Sequence, residues 1–124
     1  MYWKGKRTQL QDDNIVLMSA DGELWANVPL YLDEVNHSPT GFEWGYYGSG
    51  PSQLAYAILR TYFELEDKLD IPTAIVQAKR HYMRFKGEFV AKFGEEWELS
   101  SAWLEVWLTG ERVGWVGDER DGWV

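Results

Sequence analysis

The apolar positions of this chain fall into two regimes. Up to Val28 they alternate or bunch in short runs bounded by polar residues, whereas from Leu54 onward they recur every three or four residues. Residues 2–8 and 14–19 therefore predict two short strands, separated by the polar residues 9–13. Asp21-Gly22 is a tight-turn pair. The alternation of Glu23-Leu24-Trp25-Ala26-Asn27-Val28 after it predicts a third strand, so the three form an antiparallel meander. Pro29 closes that strand, and Leu30-Tyr31-Leu32 stays open between a helical turn and an edge segment.

In the second regime, Leu54, Ile58, Tyr62 and Leu65, widened by Ala55 and Leu59, predict a helix from about Pro51 to Asp67 that is buried on one side. Asp70-Ile71-Pro72-Thr73 breaks and restarts the pattern, because an acidic cap and a proline mark a helix start. The second helix runs from about Thr73 to Phe93 with Ile75, Ala78, Tyr82, Phe85, Phe89 and Phe93 on its face. Lys79, Arg80, Arg84, Lys86 and Lys92 fall away from that face or at its edges, and Gly94 ends the helix. Ser100 or Ser101 caps a short third helix that carries Trp103, Leu104, Trp107 and Leu108 over about two turns. The expected class is α+β: a small antiparallel N-terminal sheet packed by two longer helices and one short one. Residues 1–112 form a single domain. Residues 113–124 repeat Gly-Trp-Val around Gly117-Asp118-Glu119-Arg120-Asp121, and read either as a hairpin or as an arm that orders on a partner.

Between the regimes lies the run from His37 to Leu54, with four glycines and two prolines. It is a shaped loop feeding a helix. Pro51 suits a first helical turn, and Gly50 or Ser49 then serves as N-cap. Free N–H groups and the positive end of the dipole would face the Gly48-Ser49-Gly50 turn, where a phosphate or carboxylate is the natural occupant. The same turn also serves simply to let the loop pack closely on the sheet. His37, Glu43 and Tyr46 flank it as candidate base, acid and hydrogen-bond donor. Their plainer role is structural: His37 and Ser38 satisfy loop backbone groups while Phe42 and Trp44 anchor the loop.

This run, His-Ser-Pro-x-Gly-Phe-x-Trp-Gly-Tyr-x-Gly-Ser-Gly-Pro-x-Gln-Leu-Ala-x-Ala-Ile-Leu over residues 37–59, resembles the signature of a small uncharacterised domain family found in bacteria, archaea and their mobile elements. Weaker resemblance continues into Tyr82-Met83-Arg84-Phe85-Lys86 and to Trp97. The family brings no established activity or catalytic residue to carry over. It usually has a small residue where this chain has Tyr47, which crowds the space over the turn.

Composition narrows the chemistry. Without cysteine there are no disulfides, thiolate metal sites or cysteine nucleophiles, and the reading is an intracellular, cytoplasmic protein. No apolar run is long enough for a membrane span, and the first residues do not form a signal peptide, so no membrane partner is expected. With 12 basic against 20 acidic residues the net charge is −8, which argues against general affinity for nucleic acid. The exception is the stretch Lys79–Lys92, where five basic residues stand against Glu88; beside Tyr82 they could follow a phosphate backbone, or form a solvated face that pairs with the acidic clusters. His37 and His81 are isolated, so no metal is expected, and no cofactor motif is present. Gly-x-Ser-x-Gly fails at Tyr47, the phosphate loop is missing, and Gly45, Gly48 and Gly50 run in the opposite order from a dinucleotide fingerprint.

Catalysis thus has no motif behind it. Eight tryptophans and seven tyrosines instead favour a non-catalytic module that binds a macromolecular partner, with Trp103, Trp107, Trp115 and Trp123 as candidate anchors. Its sharpest form is a mobile-element inhibitor of host defence or nucleic-acid machinery that presents an acidic surface. A homodimer is compatible with the same aromatic excess. The alternative is a small-ligand protein or enzyme that holds an anion through His37, Glu43, Tyr46, Gly48, Ser49 and Gly50.

Overall fold

The computed structural model describes residues 1–8 and 14–112, so the candidate hairpin or arm at 113–124, with Trp115 and Trp123, lies outside the described residues. Four strands, β1 (Tyr2–Lys6), β2 (Ile15–Ser19), β3 (Ala26–Asn27) and β4 (Glu96–Ser100), make one antiparallel sheet in the order β3-β2-β1-β4. Three helices, α1 (Ser49–Thr61), α2 (Ile71–Glu88) and α3 (Ser101–Arg112), complete an α+β architecture.

The meander is present, and a fourth strand joins it from the far end of the chain. Residues 95–98 read as an acidic cluster; in the fold, Glu96-Trp97-Glu98-Leu99-Ser100 pairs with the free side of β1, with Gly5 opposite Trp97 and Lys6 opposite Glu96. Trp3, Val16 and Trp97 are buried on the helix side of the sheet, and Lys6, Ile15, Glu96 and Glu98 are exposed. Gly5 is what lets the Trp97 indole cross the sheet: a Cβ there would sit 2.4 Å from the ring. The third strand is shorter than expected. Ser19 Oγ accepts from the N–H groups of Asp21 and Gly22, and Asp21 accepts from those of Glu23 and Leu24, so side-chain bonds hold residues 20–24 in a bend and the strand is confined to Ala26 and Asn27, with Val28 N–H adding a bond to the Val16 carbonyl at 3.2 Å.

α1 begins two residues before the expected Pro51, with extended Gly48 as N-cap. It is also buried all round from Gly50 to Thr61, not on one side as its pattern predicts. Sheet, α2 and the loop over residues 28–44 enclose it, so its polar residues find partners inside. Trp3 Nε1 donates to Thr61 Oγ1 at 2.9 Å. Arg60 donates to Glu34 at 2.8 Å and Glu64 at 2.6 Å, and Tyr56 donates to Glu34 at 2.6 Å. Burial alone would lower the Arg60 pKa; the carboxylate hydrogen bonds more than offset this and raise it. Gln53 spans the whole loop: its Oε1 accepts from the N–H groups of His37 (2.7 Å) and Ser38 (3.1 Å), and its Nε2 donates to the carbonyls of Leu30 (2.7 Å) and Val35 (3.0 Å).

A π-helical turn, Tyr62–Glu66, follows α1 and is closed by Asp67 N–H to the Tyr62 carbonyl at 2.9 Å. The wider turn carries Leu65 off the helix's apolar face, and it is exposed where the sequence pattern buries it. Asp70 caps α2 as expected: its side chain accepts from Thr73 N–H, and Pro72 sits in the first turn. The helix stops at Glu88 and a 3-10 turn, Val90–Lys92, takes the chain into β4. Its buried face includes His81 and Lys86, so Lys86 is a correction to the reading of a solvated basic edge. Arg84 pairs with Glu88 at 2.6 Å, and Ser100 Oγ accepts from Trp103 N–H at the start of α3, which at 12 residues is longer than the expected two turns. No helix among the described residues is long and apolar enough to cross a membrane.

Candidate functional site

Two regions gather the residues that the sequence singles out. The first is the glycine-rich turn. Gly48 and Gly50 are places of close approach: a Cβ on Gly48 would lie 2.5 Å from the Tyr46 ring, and one on Gly50 would lie 2.5 Å from Glu43 Cβ. The turn thus lets the loop aromatics and Glu43 settle onto the helix end. Among the described residues no side chain caps the α1 N-terminus, and Ser52, in its first turn, donates from Oγ to the Gly48 carbonyl at 3.0 Å.

The triad of candidate groups does not share a hydrogen bond. His37 meets the Tyr82 hydroxyl through Nε2 at 2.9 Å, on the exposed side of the loop. Glu43 is buried and ion-paired with Arg7, whose guanidinium also donates to the Trp44 carbonyl at 2.7 Å and lies over the Trp44 ring. Tyr46 covers Gly48. The plainer role holds for the loop anchors: Phe42 and Trp44 are buried, and Trp44 Nε1 donates to the Gly94 carbonyl at 2.7 Å.

Lys86, which sequence reasoning sent to the surface, is the unexpected member of this region. Only 6% exposed, it donates to Ser52 Oγ at 2.9 Å, and its ammonium lies 4.6 Å from the centroid of the Tyr47 ring. No carboxylate pairs with it among the described residues. Tyr47 itself is 71% exposed, so it covers the ammonium as an outer layer. The helical period offers one weak signal, since Lys86 lies eight residues after buried Ala78 and four after Tyr82, on the edge of the same face.

The second region surrounds the start of α3. Trp107 is buried against Phe85 and Phe89, and its Nε1 donates to Glu88 at 3.1 Å. It belongs to the core. Trp103 is 37% exposed and meets the Phe89 ring edge-on at 4.4 Å. With Phe93, Leu99, Glu98 and Ser100 they line an open cleft of about 340 Å³ along β4. Val106, on α3, is 58% exposed. Of the two anchors in the described part of the chain, one therefore presents an apolar surface and the other does not.

The direction of the β4 hydrogen bonds sets what that cleft adjoins. Arg7 N–H donates to the Glu95 carbonyl and Ser101 N–H to the Met1 carbonyl, so odd-numbered residues of β4 bond to β1 and the even ones point their backbone groups outward. The N–H and C=O of Glu96 and Glu98 find no partner among the described residues. The alternation of Glu96-Trp97-Glu98-Leu99-Ser100 is the sequence signal that could have placed this strand. Among the described residues no three His, Asp or Glu side chains gather so as to hold a metal ion.

Comparison with known proteins adds identity without activity. No curated protein and no solved structure matches the chain. A family model does, over residues 3–110, which takes in the glycine-rich turn, Lys86, β4 and Trp103: the chain belongs to DUF6166, a family of unknown function.

Proposed function

We propose that this chain is a non-catalytic binding module that recognises a protein partner through the aromatic surface around Trp103. The observation that carries the reading is the half-open Trp103, set edge-on against Phe89 above an apolar cleft. Tryptophan at the mouth of such a cleft is the side chain that most often anchors an interface, because it buries large area at small entropic cost. The net charge of −8 suits a partner with a basic surface, and nucleic-acid machinery of a host cell is the finer form of that idea. Affinity capture from nuclease-treated lysate, comparing the intact chain with Trp103→Ala, tests it. The variant should lose at least tenfold of the captured partner while keeping its melting temperature within a few degrees. Equal capture by both would overturn the reading; a second copy of the chain recovered as the partner would make it a self-association surface.

One observation favours a second reading, a site for a small oxyanion at the α1 N-terminus. Lys86 is a buried ammonium beside that first turn, and among the described residues a hydroxyl is its one hydrogen-bonding partner and no carboxylate pairs with it. Tyr46 and Tyr47 lie over the turn, so an anion would have to enter by displacing them. Calorimetry with inorganic phosphate, comparing the intact chain with Gly50→Val, separates this reading from the first.

A further inference from the structure

We infer that the partner segment binds as an added strand on the outer edge of β4, in extended conformation, with apolar side chains alternating with basic ones. This rests on the binding-module reading and names the recognition mode. Three observations combine. The backbone N–H and C=O of Glu96 and Glu98 point away from β1 and are unpaired among the described residues, which is the pattern an incoming strand completes. Below that edge, Phe89, Phe93, Leu99 and Trp103 line the cleft, so every second side chain of an added strand would enter an apolar space. On the other face the neighbours are acidic: Glu98 makes no ion pair among the described residues, because Lys4 opposite it lies over the Trp25 ring at 3.9 Å. Glu96 is 70% exposed and reaches Lys6 only at 3.7 Å. Lysine or arginine at the alternate positions would complement both carboxylates. Short length and outward charge also protect an edge from uncontrolled pairing, and here the charge selects by sign which strands can pair.

Glu98→Pro, set against Glu98→Gln, which loses the same carboxylate but keeps the N–H, isolates the backbone contribution. The Glu98 N–H makes no bond to β1, so proline there removes the outward donor without breaking the ladder. The probe is a displayed library of random decapeptides panned on the intact chain, followed by affinity measurement with synthetic peptides. Selected peptides should alternate apolar and basic residues, Trp103→Ala should weaken them at least tenfold, and Glu98→Pro should weaken them at least tenfold beyond Glu98→Gln. On the unmodified protein, N-methylation should abolish binding at alternate peptide positions only, which does not depend on how the proline variant folds. If Trp103→Ala weakens the peptides while Glu98→Pro weakens them no more than Glu98→Gln and N-methylation has no effect, strand addition is wrong and the binding surface stands. If Trp103→Ala also binds as the intact chain does, or if no peptide is selected, both fall.

Discussion

Replacing Gln53 with methionine tests the main structural claim about the loop that carries His37 to Trp44. Methionine keeps the length and approximate volume of the side chain, so no cavity opens, but it removes four hydrogen bonds at once: two accepted from His37 and Ser38 N–H, and two donated to the Leu30 and Val35 carbonyls. Each backbone group left unsatisfied costs about 1–3 kcal/mol if it stays dry. His37 is exposed, and Leu30, Val35 and Ser38 are half-buried, so water can reach part of the set as the loop relaxes. A net loss of about 3 kcal/mol follows, a large share of the roughly 5–15 kcal/mol that holds a domain of this size folded. With a urea slope of about 1.5 kcal/mol per molar, the unfolding midpoint should fall by roughly 2 M at unchanged slope. Amide exchange over residues 30–38 should accelerate more than exchange in β1 and β2, because Gln53 pins the loop and not the sheet. A midpoint within about 0.3 M of the parent, which corresponds to about 0.5 kcal/mol on that slope, would refute the reasoning and mean that the loop is held by its apolar anchors alone.

Two further outcomes follow from charges. Lys86→Met should leave the melting temperature unchanged or raise it, since the ammonium is buried and among the described residues hydrogen-bonds only Ser52 Oγ, and an apolar replacement ends its desolvation cost; a fall of several degrees would show that the charge is compensated by a group other than Ser52. Glu66 accepts from Ser101 Oγ and from the amino group of Met1, and these bonds hold its carboxyl below the ordinary 4.5. A depressed folded pKa contributes stability above the unfolded value that is lost as pH falls through the folded one, so melting temperature should drop below about pH 4.5 and Glu66→Gln should flatten that drop. Identical pH profiles for parent and variant would mean that the α3 junction does not sense this carboxylate.

Local rules made much of this fold legible. The change from alternation to a period of three or four separates sheet from helices, and Asp70 with Pro72 announces the start of α2 because a cap and a proline act on neighbouring backbone groups. Ser100 is read in the same way, as is the dependence of the loop on Phe42 and Trp44. Such signals are written in adjacent residues. The glycine-rich run announces a shaped turn, yet glycines record only where a side chain is excluded, so whether Tyr46, Glu43 or a ligand fills the space was beyond it.

Tertiary structure decided what depends on distant partners. The alternation in Glu96-Trp97-Glu98-Leu99-Ser100 becomes a strand because β1 has a free side and Gly5 makes room for the Trp97 ring, and neither fact is local to the segment. Encirclement by sheet, α2 and loop turned α1 from an expected one-sided helix into a buried one, and so gave Gln53 and Arg60 their internal partners. Lys86 is buried for the same reason: Ser52 and Tyr47, from another part of the chain, enclose it. Trp103 and Trp107 stand one helical turn apart with equal sequence credentials, and only the position of Phe85 on α2 and of Phe89 at its C-cap places one in the core and the other at the mouth of a cleft. Periodicity fixes which residues share a face of an element; the packing of elements against one another determines which faces meet water.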